Sequence, residues 1–170
     1  MAAPKKQWPI IKARYLEHLK ALNYAPRTIE SIESHLRFFL DYLEKETKTE
    51  DLASLSYEDM AAYQTWLYFC EWNKGKRSVP LSTATQLLRL SAVMGFFKHL
   101  FKQGILLADP AASLEQPKRR RSLPRGILTG KQVLALMGAP DVETPLGLRD
   151  RAILELLYAT GIRNEELRSL

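Results

Sequence analysis

Pro26 to Leu43 reads PRTIESIESHLRFFLDYL. Ile29, Ile32, Leu36, Phe39 and Leu43 follow one another at steps of three, four, three and four. That spacing lines one side of a helix and does not suit a half-buried strand, whose apolar residues alternate. Pro26 opens the stretch, and Thr28 is a candidate N-cap. The Thr- and acid-rich run from Glu44 to Asp51 breaks the pattern.

Three further segments repeat this spacing around it. Trp8, Ile11, Tyr15, Leu19 and Leu22 predict a first helix that ends near Asn23. A third begins near Ser56, where Glu58 and Asp59 place acids in the first turn and complement the helix dipole. Its apolar face carries Met60, Tyr63, Leu67 and Cys70, and Asn73 to Pro80 (NKGKRSVP) reads as a loop. The fourth opens at Ser82 or Thr83, carries Leu87, Leu90, Met94, Phe97 and Phe101, and stops at Gly104. Phe38, Phe39, Phe96, Phe97 and Phe101 sit at helical spacing and are expected in the core. Four such helices predict a bundle from about Trp8 to Gly104.

Composition changes after the bundle. Asp109 to Gly126 (DPAASLEQPKRRRSLPRG) holds three prolines and no apolar period, which reads as an interdomain linker. Its second half carries Lys118, Arg119, Arg120, Arg121 and Arg125 with no acid among them. Beyond it, Ile127 and Leu128 suggest a short strand. Thr129 caps a helix that runs through Met137, and Pro140 ends it. Pro145 opens another helix, and Ala152 to Ala159 is apolar enough to predict a buried one. Thr160-Gly161 breaks it, and a last helix begins at or just after Arg163. This region reads as the opening of a larger domain.

The 170 residues carry 25 Lys and Arg against 19 Asp and Glu, a net charge of +6 that favours anionic partners. A single cysteine, Cys70, excludes a disulfide scaffold. The apolar stretch near Trp8 is too short for a signal peptide, and no run is long enough to span a membrane, so a cytoplasmic location is expected. His18, His35 and His99 lack metal-ligand spacing, and Gly75-Lys76 lacks the upstream glycine of a phosphate-binding loop. No metal, cofactor or nucleotide is expected.

Arg149 to Leu167 reads RDRAILELLYATGIRNEEL. It resembles the segment that carries the first catalytic arginine of tyrosine recombinases, the phage integrase family, in their bacterial Xer-like branch. There a buried helix runs into a Thr-Gly turn, an arginine, and a helix with a Glu three residues on. The matching positions are Thr160, Gly161, Arg163 and Glu166. The family commonly has a serine just before that Glu, where this sequence has Glu165. Tyr24 to Leu43 resembles the family's N-terminal signature. Ser82 to Pro110 resembles its fourth helix and the Asp-Pro that follows. Leu123, Pro124, Arg125, Leu128 and Thr129 resemble the entry to its catalytic domain.

The resemblance implies a mainly α chain in three parts. Residues 1–108 would be a four-helix SAM-like core-binding bundle that binds DNA. Residues 109–126 would be a basic linker, and 127–170 the truncated, mostly helical start of an integrase catalytic domain. In the family a tyrosine attacks a DNA phosphodiester and forms a phosphotyrosine, without metal or ATP. Arg163 would hold phosphoryl oxygens as negative charge builds on them, a role that suits the planar, permanently charged guanidinium. Glu166 would support it. From the residues alone, Arg163 reads first as a solvated arginine at a helix start, and the resemblance is what turns that reading toward phosphate. The family's lysine, His-x-x-Arg pair and nucleophilic tyrosine cannot be placed in this chain, and Tyr158 is expected in the core. The chain should therefore bind DNA without cleaving it.

The expected partners are double-stranded DNA and, in the intact protein, other recombinase protomers. In the family, parts of the second and fourth helices approach the major groove. The fourth helix here has a polar opening, with Ser82, Thr83, Thr85, Gln86 and Arg89. Gln86 and Arg89 are types that reach base edges or phosphates. Arg27, Lys76 and Arg77 are candidate phosphate contacts, as are Lys118, Arg119, Arg120, Arg121 and Arg125 on the linker. Two alternatives stay open: a non-catalytic helical DNA-binding module, and a helical protein-interaction domain with incidental charge. Steep salt dependence of DNA binding would separate the last from the others.

Overall fold

The computed structural model describes residues 7–47, 49, 51–74, 77–118 and 126–170, with backbone alone at 72–74, 77 and 78. The chain divides into two compact units, Met1–Arg120 and Arg121–Leu170.

The first unit holds α1 (Trp8–Ala21), α2 (Pro26–Glu46), α3 (Tyr57–Phe69) and α4 (Thr83–Lys102), with a 3-10 turn at Leu52–Ser54. Each boundary has a local cause. Pro26 occupies the first turn of α2, where a missing N–H costs nothing. Thr28, the expected N-cap, lies inside the helix, and Ala25 holds the cap position without a side-chain bond. Ser56 accepts from the Asp59 N–H while the Asp59 carboxylate accepts from the Ser56 N–H, a capping box that starts α3. Ser82 starts α4 by accepting from the Thr85 N–H at 3.2 Å. Gly104, at φ 67°, ends it in the left-handed region that favours glycine, and the Ile105 N–H returns to the Leu100 carbonyl at 3.0 Å.

One apolar core joins the four helices. Its fully buried members include Leu36, Phe39, Leu43, Met60, Tyr63, Leu67, Leu90, Phe96, Phe97 and Leu100. Phe39 is at the centre: its ring meets Tyr63 at 4.8 Å and Phe97 at 5.8 Å, both edge-on. The expected α2 and α3 stripes face this core, with Ile32 and Cys70 only partly covered. The α4 stripe is rotated from expectation. Leu90, Val93, Phe96, Phe97 and Leu100 face inward, while Phe101 is 47% exposed. Apolar residues cover most of the circumference of α4, so spacing alone does not select the packed side. Leu22, expected on the α1 stripe, is exposed because it lies past the last helical turn.

Two expected irregular segments are ordered parts of this unit. Asn73–Pro80 is not a plain loop. Glu71–Lys74 (β1) and Arg77–Pro80 (β2) pair antiparallel, with Trp72 opposite Val79 and Lys74 opposite Arg77. The first half of the expected linker packs onto the bundle. Ala111 and Leu114 are buried, Asp109 accepts from the Ala111 N–H at 2.9 Å, and Gln64 donates to the Glu115 carbonyl at 2.8 Å. The bundle unit therefore continues past residue 108.

The second unit contains α5 (Gly130–Met137), α6 (Pro145–Thr160) and α7 (Asn164–Arg168). Thr129 and Gln132 form the capping box of α5, and Thr144 caps α6 through the Gly147 N–H at 3.1 Å. Gly161, at φ 65°, terminates α6. Ile127 and Leu128 form no strand. The expected burial of α6 is also absent: among the described residues of this unit only Gly147 is buried, and Tyr158 is 71% exposed. Leu134, Leu146 and Leu148 are likewise exposed. The apolar run does form the predicted helix, but among the described residues Ile153, Leu154, Leu156 and Leu157 are only partly covered. Arg151 ties α6 to α5 by donating to the Met137 carbonyl and pairs with Glu155 at 2.7 Å. Among the described residues, no helix is long and apolar enough to cross a membrane.

Candidate nucleic-acid interface

No Asp or Glu occurs anywhere along α4. Its outward side exposes Ser82, Ala84, Leu88, Ser91 and Lys98 as a ridge. A groove runs along each flank of the ridge. On one side, α4 and α2 enclose about 540 Å³, with Arg27, Thr28, Ser31 and His35 from α2 facing Leu88 and Ser91. No acid lines that groove. On the other side, α4 and the segment after it enclose about 490 Å³, where Lys98 and Lys102 outnumber the one acid, Asp109. A wider groove lies elsewhere, between Asp51–Tyr57 and Ile105–Pro110, and carries Asp51 and Asp109 with no cation. The ridge, not that groove, has the electrostatics of a polyanion site.

The basic run starts beside this ridge. Gln116 donates to the Ser91 hydroxyl at 3.1 Å, which pins the chain against mid-α4 two residues before Lys118. Lys118 is exposed. Arg119, Arg120, Arg121 and Arg125 lie outside the described residues, as does Lys76. Arg77 is placed by its backbone on β2, opposite Lys74. Arg27 is exposed in the first turn of α2 and lines the groove. Thr83 and Thr85 sit in the first turn of α4, where the Thr85 hydroxyl is 2.9 Å from that of Ser82.

Gln86 and Arg89 are not on the ridge. Both are buried, so their expected outward reach to DNA is corrected here. Gln86 donates to the Leu81 carbonyl at 2.9 Å and closes the turn before α4. Arg89 points toward α2 and α3, with its guanidinium carbon 3.3 Å from the centre of the Phe38 ring. Among the described residues its Nε and Nη1 are buried without a hydrogen-bond partner, as is the Tyr63 hydroxyl. Burial lowers the Arg89 pKa from its ordinary value. Burial, and then the Arg89 charge, lower that of His35. His35 in turn lies 3.3 Å from the Ser31 hydroxyl through Nε2.

Sequence reading missed Ser31, His35, Leu88, Ser91 and Lys98. The absence of acids from α4 was a usable signal for Lys98. His35 was considered only as a metal ligand, and Leu88 was hidden among the other apolar residues of α4.

In the second unit, Arg163 precedes α7 and its side chain is 86% exposed. The Glu166 carboxylate accepts from the Arg163 N–H at 2.8 Å and from its guanidinium at 3.1 Å. The Arg163 N–H is therefore already taken up by Glu166. The remaining edge of the guanidinium faces solvent.

The four-helix bundle with its acid-free outer ridge defines a small α-helical module whose ridge is electrostatically suited to a polyanion. Residues 13–104, more than half of the chain, match the family described as phage integrase, N-terminal SAM-like domain. Over 165 residues the chain is 34% identical to tyrosine recombinase XerC 2 of Ralstonia nicotianae, covering 95% of this chain and 46% of that protein. Against tyrosine recombinase XerD of Xanthomonas campestris it is 44% identical over 102 residues, 60% of this chain and 30% of the relative. With XerD of Vibrio cholerae the identity is 37% over 146 residues, 86% and 44% of the two chains. The chain thus belongs to the phage integrase family of tyrosine recombinases, and it spans less than half the length of these relatives.

Proposed function

We propose that this chain is the DNA-binding portion of a site-specific tyrosine recombinase, and that it lays the α4 ridge against a DNA duplex. The acid-free ridge, with the basic run starting at its side, carries this reading. Arg27 lies on one flank and Lys98 and Lys102 on the other, and each would contact a phosphate. Lys118, Arg119, Arg120, Arg121 and Arg125 follow in the sequence as further phosphate contacts. Such contacts position a protein on DNA and carry no sequence information themselves.

Arg163 is proposed as one transition-state phosphate contact, with Glu166 as its support. The ion pair fixes one edge of the guanidinium and leaves the other open for an oxyanion. The family's nucleophilic tyrosine has no assigned counterpart in these 170 residues, so this chain by itself is expected to bind without cleaving. Assembly with other recombinase protomers forms part of the same proposal.

Titration of a labelled duplex at low and moderate salt tests this. If three phosphates are neutralised, affinity falls on the order of forty-fold between about 50 and 200 mM salt. Changing Arg119, Arg120 and Arg121 together to Ala should weaken binding and flatten that dependence. Binding that is absent at low salt, or insensitive to salt, would favour the protein-interaction alternative.

A further inference from the structure

The two grooves beside α4 differ in chemistry. The one carrying Lys98 and Lys102 suits phosphate. The α2–α4 groove has a single permanent cation, Arg27, near one end of α2, and is otherwise lined by short hydroxyls, an imidazole, the phenols of Tyr15 and Tyr24, and aliphatic carbon. That lining suits the edge of a base, which offers neutral donors, acceptors and, on thymine, a methyl group.

Resting on the DNA-binding reading, we propose that the α2–α4 groove reads an A·T base pair, with Leu88 packed on the thymine methyl and Ser31 hydrogen-bonded to the polar edge of the pair. Leu88 is 58% exposed on the ridge, although it is a large aliphatic side chain on a helix whose core face is already filled. An exposed leucine gains little in the free protein, and a methyl group in the groove gives it a partner. Ser31 is exposed one groove wall away, on α2.

His35 is the positioning residue. Its Nε2 lies 3.3 Å from the Ser31 hydroxyl one helical turn earlier, so it fixes that rotor. The neutral imidazole is favoured by its burial and by the Arg89 charge behind it. A neutral ring either donates to the serine or accepts from it. Whichever it does, the hydroxyl keeps one complementary bond, as donor or as acceptor, for the base pair. An imidazolium would instead add a charge that attracts phosphate of any sequence. The buried Arg89 would bear on the site only through its charge, which adds to burial in disfavouring the imidazolium.

The test is selection of bound sites from a random-sequence duplex pool by the full chain and by Leu88→Ala, Ser31→Ala, His35→Ala and His35→Gln. The wild-type motif should contain an A·T position whose preference drops about tenfold in Leu88→Ala, the scale of one lost base contact. Binding to the unselected pool should stay within about twofold, because no phosphate contact is removed. Deoxyuridine at that position lacks the methyl group. It should weaken wild-type binding as Leu88→Ala does, and leave Leu88→Ala unaffected. Ser31→Ala and His35→Ala should blur the same position, while His35→Gln, which can still hold the serine, should restore it. An unchanged motif in Leu88→Ala, or indifference of the wild type to deoxyuridine, overturns the base-reading role while DNA binding stands. No salt-sensitive binding to the pool by the wild type would instead remove the DNA-binding reading beneath it.

Discussion

Arg89 places a guanidinium inside a bundle that offers it no carboxylate among its described bonds. It is 6% exposed, two of its nitrogens lack partners among the described residues, and its face lies on Phe38. Contact with the ring offsets part of the desolvation cost, by about 2 kcal/mol when the cation is well desolvated. A buried charge with that deficit is replaced by an apolar side chain of similar length at little loss, and often at a gain. Arg89→Met is therefore expected to unfold within about 1 kcal/mol of the wild type, or to be more stable, by urea titration. A loss of several kcal/mol would mean that Arg89 has a structural anion partner in solution. The same variant has a second readout. The Arg89 charge disfavours the protonated form of His35, so its removal must raise the His35 pKa, though burial still holds it below the ordinary value. A histidine titration followed by NMR checks that sign. Neither effect was legible in the sequence. Gln86 and Arg89 are polar residues at a helix opening, which ordinarily face water, and only the position of α2 and α3 turns them inward.

At the scale of elements, the spacing in Pro26–Leu43 was enough to give α2 and its buried side, because only one side of that helix is apolar. The capping residues Ser56, Ser82 and Thr129 and the stops at Gly104 and Gly161 were equally readable, since each acts within one turn of the chain. On α4 the sequence was ambiguous. Phe96, Phe97 and Phe101 are all apolar, and packing chose the first two. The choice has a measurable cost. Phe97 is fully buried and meets Phe39 at 5.8 Å and Phe96 at 5.7 Å. Phe97→Ala should destabilise by about 3–5 kcal/mol, the usual range for emptying an aromatic site in a core. Phe101→Ala removes a half-exposed ring and should cost under about 1 kcal/mol. Equal losses in the two variants, measured by denaturant midpoint at constant slope, would place the α4 packing face one step around from that seen here.

Over the whole molecule, burial is unevenly shared, and local stability must follow it. All of the large fully buried side chains lie in the first unit, from Leu36 to Leu100. In the second unit α5, α6 and α7 are capped and hydrogen-bonded, yet their described residues bury almost nothing. Short helices owe most of their stability to packing, because nucleation is unfavourable and local bonds alone leave them marginal in water. Sequence reading treated Ala152–Ala159 as buried because apolar composition reports what a helix is suited to pack against, not whether that surface is supplied by the same 170 residues. Hydrogen exchange on the full chain separates the two halves. Amides of Leu36–Leu43, Tyr63–Leu67 and Leu90–Leu100 should exchange only through global opening and share one limiting free energy. Amides of α6, including Leu154–Tyr158, should exchange faster through local opening despite their intact helical hydrogen bonds, and α7, with five residues, faster still. Protection of α6 equal to that of α4 would show that its apolar side is covered in solution, most simply by a second copy of the chain, and that protection would then fall on dilution.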